Sequence, residues 1–147
     1  MIRLDMARYL VVAHQTAVSP ELLDKIRALA RDDPDATFVF LIPDTPPSHL
    51  LSKEEADPGE VARKRAMLAR EILRKEGITV TRISMGDPFP VLAIDDELRE
   101  HRLSYQAVIV STFPAGVSQW LRLDLPAQIE RRFRLPVIHV IAQPSSS

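Results

Sequence analysis

Five short apolar runs, each parted from the next by a segment with helical punctuation, constrain this chain more than any other feature. They are Tyr9–Ala13, Thr37–Ile42, Ile78–Ile83, Ala107–Val110 and Val137–Ile141. The first, second and fourth are nearly continuous in hydrophobicity, as strands of a parallel sheet covered on both faces must be. The third alternates apolar and polar residues, which suits a strand nearer an edge.

The intervening segments read as helices. Ser19-Pro20-Glu21 supplies an N-cap and a first-turn proline, and Leu22, Leu23, Ile26, Leu29 and Ala30 follow as one apolar stripe. From about Glu60 to Glu76, Ala62, Ala66, Ala69 and Leu73 lie beside Val61, Leu68 and Ile72, with Gly77 as the stop. Asp87-Pro88 is expected to open a third helix carrying Val91, Ile94 and Leu98. Asp124-Leu125-Pro126 opens a fourth, with Ile129 and Phe133 on one face. Strands alternating with such helices imply right-handed crossovers and a doubly wound, five-stranded parallel α/β sheet with helices on both faces.

One long connection, 43–59, contains Pro43, Pro46, Pro47 and Pro58. It leaves the carboxyl end of the second strand, the edge at which open α/β sheets bind ligands. It reads either as a mobile flap over a pocket or as a plain connection.

The chain has 147 residues, the size of one domain, and we expect a single domain over 1–147 with an ordered core at 8–142. Lysine plus arginine (19) nearly balance aspartate plus glutamate (20), so neither nucleic acid nor an anionic membrane is an expected partner. The absence of cysteine excludes disulfides, thiolate catalysis and Cys-type zinc sites. Asp5 and Arg8 interrupt any signal-peptide core, and no apolar run approaches the roughly 20 residues a membrane helix needs. A cytoplasmic location is the expectation.

The order of elements, with Met85-Gly86-Asp87-Pro88 after the third strand and Leu135-Pro136-Val137-Ile138-His139-Val140 at the end, resembles the universal stress protein family over roughly Arg8 to Ala142. The resemblance implies a Rossmann-like sheet of strand order 3-2-1-4-5, of the adenine nucleotide alpha hydrolase-like kind. It also implies a small regulatory or stress-associated role and a homodimer paired through the last strand. An apolar open edge of Val137, Ile138 and Val140 is one that natural proteins avoid, which supports the same dimer.

Nucleotide-binding members of that family follow the fourth strand with G-x-x-G, nine residues, then G-[ST], so that backbone N–H groups meet the phosphates. Here the first two glycine slots hold Ser111 and Pro114, and the terminal slot falls at Asp124-Leu125 or one residue earlier. Proline removes a donor, and a carboxylate repels phosphate. His14 stands where the family usually has an aspartate. This chain therefore resembles a divergent subgroup without the usual ATP-binding glycine motif, and no cofactor is assigned; an adenine nucleotide stays open.

The alternative is a nucleotide or small-ligand binder using a polar pocket at the carboxyl ends of strands one, two and four. Its candidate residues are His14, Gln15, Asp44, Thr45, Ser111 and Thr112, with Gly116 and Ser118 as an anion nest. The same groups also serve to satisfy strand-end and helix-start backbone. No catalytic residue is assigned: His14 and Ser111 have the types of a base and a nucleophile, but no elbow motif and no third group accompany them. No histidine has metal-ligand spacing, and Asp95-Asp96-Glu97 reads as a solvated helix face. Trp120 reads as packing, as a plug in the nucleotide space, or as an anchor for a partner.

Overall fold

The computed structural model describes residues 7–43, 58–101, 105–114 and 124–143. Its elements are β1 (Arg8–Val12), α1 (Pro20–Asp32), β2 (Thr37–Pro43), α2 (Pro58–Lys75), β3 (Thr79–Gly86), α3 (Pro90–His101), β4 (Ala107–Thr112), α4 (Leu125–Phe133) and β5 (Val137–Ile141). The five strands form one sheet in the order β3-β2-β1-β4-β5, and every pairing is parallel. The expected fold class and strand order are those observed.

Strand periodicity divides the core into two layers. Val11, Phe38, Phe40 and Ile109 pack with Leu22 and Ile26 of α1 and with Ala62, Ala66 and Leu73 of α2. Leu10, Val12, Val39, Leu41, Val108 and Val110 point the other way, onto Ile94 of α3 and Ile129 of α4. The alanine stripe of α2 brings its backbone close to the sheet, while Tyr9 and Phe38 stack with ring centroids 5.4 Å apart.

Helix ends follow the local chemistry. The Ser19 hydroxyl accepts from Leu22 N at 3.2 Å, so α1 is capped as its sequence predicts. At the end of α2, Gly77 takes φ +80°. Its N–H reaches Arg74 O at 3.0 Å and Ile78 N reaches Leu73 O at 3.0 Å, the two bonds of a Schellman stop.

The start of α3 differs from expectation. Asp87 accepts from Phe89 N at 2.9 Å, making a side-chain turn ahead of the helix, and Pro90 rather than Pro88 occupies the first helical position. Gly86 is not a left-handed residue. A Cβ there would lie 2.8 Å from Ala93 Cβ and 3.2 Å from Leu41 Cδ1, so the glycine lets α3 approach the sheet.

Strand β3 carries a bulge. Phe38 pairs with Val80 and Val39 with Arg82, leaving Thr81 as the extra residue. The bulge turns Arg82 to the α3 side, where it pairs with Glu97. Tyr105 Oη donates to the same carboxylate oxygen at 3.3 Å. Glu97 therefore departs from the solvated face expected of Asp95-Asp96-Glu97: its side chain is 2% exposed, while Asp95 and Asp96 pair with Arg99 at the surface. Burial holds the Tyr105 hydroxyl above its ordinary pKa.

Candidate functional site: the carboxyl ends of β1 and β4

Chain order reverses between β1 and β4, which places the topological switch point at their carboxyl ends. Val12 pairs with Val110, so the residues following β1 and those ending β4 emerge side by side. After β1 the chain makes a tight turn, with Ala17 N donating to His14 O at 3.3 Å and Ser19 N to Thr16 O at 3.0 Å, before entering α1.

His14 and Thr16 are buried in this turn, and Gln15 is half-buried. Ser111 and Thr112 are both buried and, as successive strand residues, project to opposite faces of the sheet. Ser111 faces α1, where its Oγ lies 2.6 Å from Thr16 Oγ1. Thr16 Oγ1 also donates to Ser111 O at 3.2 Å, which leaves Ser111 Oγ–H as the donor to Thr16. Each hydroxyl thus finds its partner inside the protein.

Thr112 turns to the α4 side, and its hydroxyl lies 2.8 Å from His139 Nε2. Partial burial lowers the pKa of His139 from its ordinary value, so the neutral imidazole is favoured in that contact. Two separate polar pairs therefore occupy this end of the sheet, one on each face. Thr16 and His139 were not among the sequence candidates. The period-2 rule applied to Ser111-Thr112 was the signal that could have separated the two pairs.

Asp44, Thr45, Gly116, Ser118 and Trp120 lie outside the described residues. Asp124, at the terminal slot of the family loop, is exposed and left-handed at φ 55°, and its side chain does not cap α4. Pro114 is half-buried just beyond β4. Among the described residues no cluster of His, Asp and Glu has the makings of a metal site. None of their helices is long and apolar enough to cross a membrane.

The fold and its switch point define a doubly wound α/β protein of the Rossmann-like kind. It is similar to the structure of a universal stress protein from Archaeoglobus fulgidus, with a TM-score of 0.57 at 17% sequence identity, over 91% of this chain and 93% of that one. The likeness is one of fold. No protein-family model matches the sequence, and no curated protein matches it.

Proposed function

We propose that this chain is a small cytoplasmic regulatory protein of the universal-stress-protein type, which acts by self-association and partner binding and does not hold ATP through a glycine loop. The observation that carries this reading is the Thr16–Ser111 hydroxyl pair. It spans the switch point, where a ligand would need free donors, with bonds already made on both sides. A phosphate reaching that position would have to break a buried, satisfied pair and would gain no N–H from Pro114. Self-association runs through the open edge of β5, the last strand of the sheet among the described residues.

Thermal denaturation with millimolar ATP, ADP, AMP or cyclic AMP tests the reading. A ligand at 100 times its Kd adds about 2.7 kcal/mol, which for a chain of this size is a rise on the order of 5–10 °C. We expect no such rise with ATP, and a saturable one would overturn the proposal. A rise confined to the smaller nucleotides would favour the alternative, a small-ligand binder using His14, Gln15, Asp44, Thr45, Ser111 and Thr112 with Gly116 and Ser118.

A further inference from the structure

Six large apolar side chains are exposed among the described residues, and five of them lie around β3, at the flank opposite β5. Met67 and Leu68 are on α2, Met85 is near the end of β3, Phe89 just precedes α3 and Leu92 lies in its first turn. α2 packs chiefly against β3 on one face of the sheet, and α3 packs against β3 on the other. Phe89, at 63% exposure, is the most open of the set. Single exposed apolar residues need no explanation, but their concentration on one flank marks a contact surface.

The two helices of this flank carry opposite charge. α2 holds six basic residues against two acidic ones, in a chain whose net charge is -1. Glu60 and Glu71 pair with Arg63 and Arg74 on the helix itself, so the excess falls on Lys64, Arg65, Arg70 and Lys75. Lys64, Arg70 and Lys75 are exposed. They stand at helical spacings of three, four and seven residues from Met67 and Leu68, which puts charge and apolar surface on one outer face.

α3 has the converse pattern, with Asp95, Asp96, Glu97 and Glu100 against Arg99 alone. Glu97 turns inward to Arg82. Asp96 follows Leu92 by four residues, so its carboxylate and this side chain share the outer face, and Glu100 extends the same row.

Within one chain these two faces cannot meet, because the sheet lies between them. A two-fold axis beside β3 and parallel to it exchanges the faces of the sheet, and so sets α2 of each copy beside α3 of the other. The contact then forms twice and closes on itself, as a two-fold interface must. The exposed Met, Leu and Phe side chains make its apolar centre and the opposite charges its rim. Backbone pairing plays no part, since the bulge at Thr81 breaks the ladder that an added strand would need.

We infer that the β3 flank is an interface between two copies of this chain, in which the basic outer face of α2 meets the acidic outer face of α3 of the second copy about a two-fold axis. This surface is separate from the β5 edge and does not rest on it.

Charge reversal tests the pairing of the helices. Lys64→Glu, Arg70→Glu, Lys75→Glu makes α2 acidic, and Asp96→Lys, Glu100→Lys makes the outer face of α3 basic; none of the five residues is buried. Alone, each variant sets like charge against like, and in sedimentation equilibrium its association through this surface should be about tenfold or more weaker than that of the wild type. An equimolar mixture of the two variants restores opposite charges at both contacts, and should associate as the wild type does. A wild type that associates while both variants match it, or a mixture no better than its components, overturns the inference and leaves the β5 edge standing. A wild type that stays monomeric at high micromolar concentration overturns both.

The apolar centre has its own readout. Phe89→Ser leaves every charge in place and should weaken the same association, while its urea midpoint, measured at concentrations where the protein is monomeric, stays that of the wild type. An unchanged association constant would take Phe89 out of the contact and overturn the assignment.

Discussion

Arg82 meets the carboxylate of Glu97 because Thr81, one residue earlier, is an extra residue in the pairing of β3 with β2. The bulge reverses which face the following side chains take, and a guanidinium that would have pointed toward α2 points toward α3 instead. Tyr105, just ahead of β4, completes the cluster.

Removing one partner of a buried ion pair strands the other, whereas replacing both removes the desolvation cost as well. Glu97→Ala should therefore destabilise the protein by about 3 kcal/mol, the low end of the range because Arg82 retains 30% side-chain exposure. The double variant Arg82→Met, Glu97→Leu should recover most of that loss. Urea denaturation of the wild type, Glu97→Ala and the double variant measures both the cost and the recovery.

The Thr16–Ser111 pair should show the same asymmetry on a smaller scale. Thr16→Val leaves the Ser111 hydroxyl buried without its acceptor, at a cost of about 1–3 kcal/mol. Adding Ser111→Ala removes the stranded group, so the double variant should be no less stable than Thr16→Val. An additive result would mean that the two hydroxyls do not depend on one another.

Two glycines should fail on substitution for different reasons. Gly86→Ala inserts a Cβ 2.8 Å from Ala93 Cβ, and overpacking of this kind costs about 1–3 kcal/mol. Ala93→Gly should relieve part of it. Gly77 has open space around its Cα but φ +80°, so Gly77→Ala should cost about 1 kcal/mol and Gly77→Asn less. Denaturation midpoints of the set, with the Gly86→Ala, Ala93→Gly double variant, separate steric from backbone causes.

The Arg27–Glu76 bridge ties α1 to the turn after α2, with contacts of 2.7 and 2.9 Å. The Arg27 guanidinium, through these hydrogen bonds, holds the Glu76 carboxyl below its ordinary value. A carboxylate with a lowered folded-state pKa contributes stability above its unfolded pKa and loses it as pH falls through the folded one. NMR titration should find Glu76 protonating at lower pH than the ordinary glutamate range, and Arg27→Met should return it there. The stability difference between the two proteins should close in acid.

Much of the fold was legible because its signals are local. Apolar runs, the Ser19 cap, Gly77 and Pro126 act within one turn or strand, and the helices and strands they mark are present. The misreadings arose where a distant contact decides. The need for glycine at 86 is set by Ala93 and Leu41, which no local pattern announces. Glu97 looked like one of three solvated acids, although the break in alternation at Thr81-Arg82 was a visible sign that β3 changes face. At the site, Ser111 and Thr16 are 95 residues apart, and no local pattern links them.

The cluster at Glu97 also bears on how the protein comes apart. An outermost strand ordinarily frays first, yet β3 is fastened through Arg82 to α3 and through Glu97 to the residue that leads into β4. Amide protons of β3 should consequently exchange with solvent only when α3 lifts with it. Opening then begins at the β5 flank, so any molecule bound along that edge would also guard the seam along which the sheet unzips.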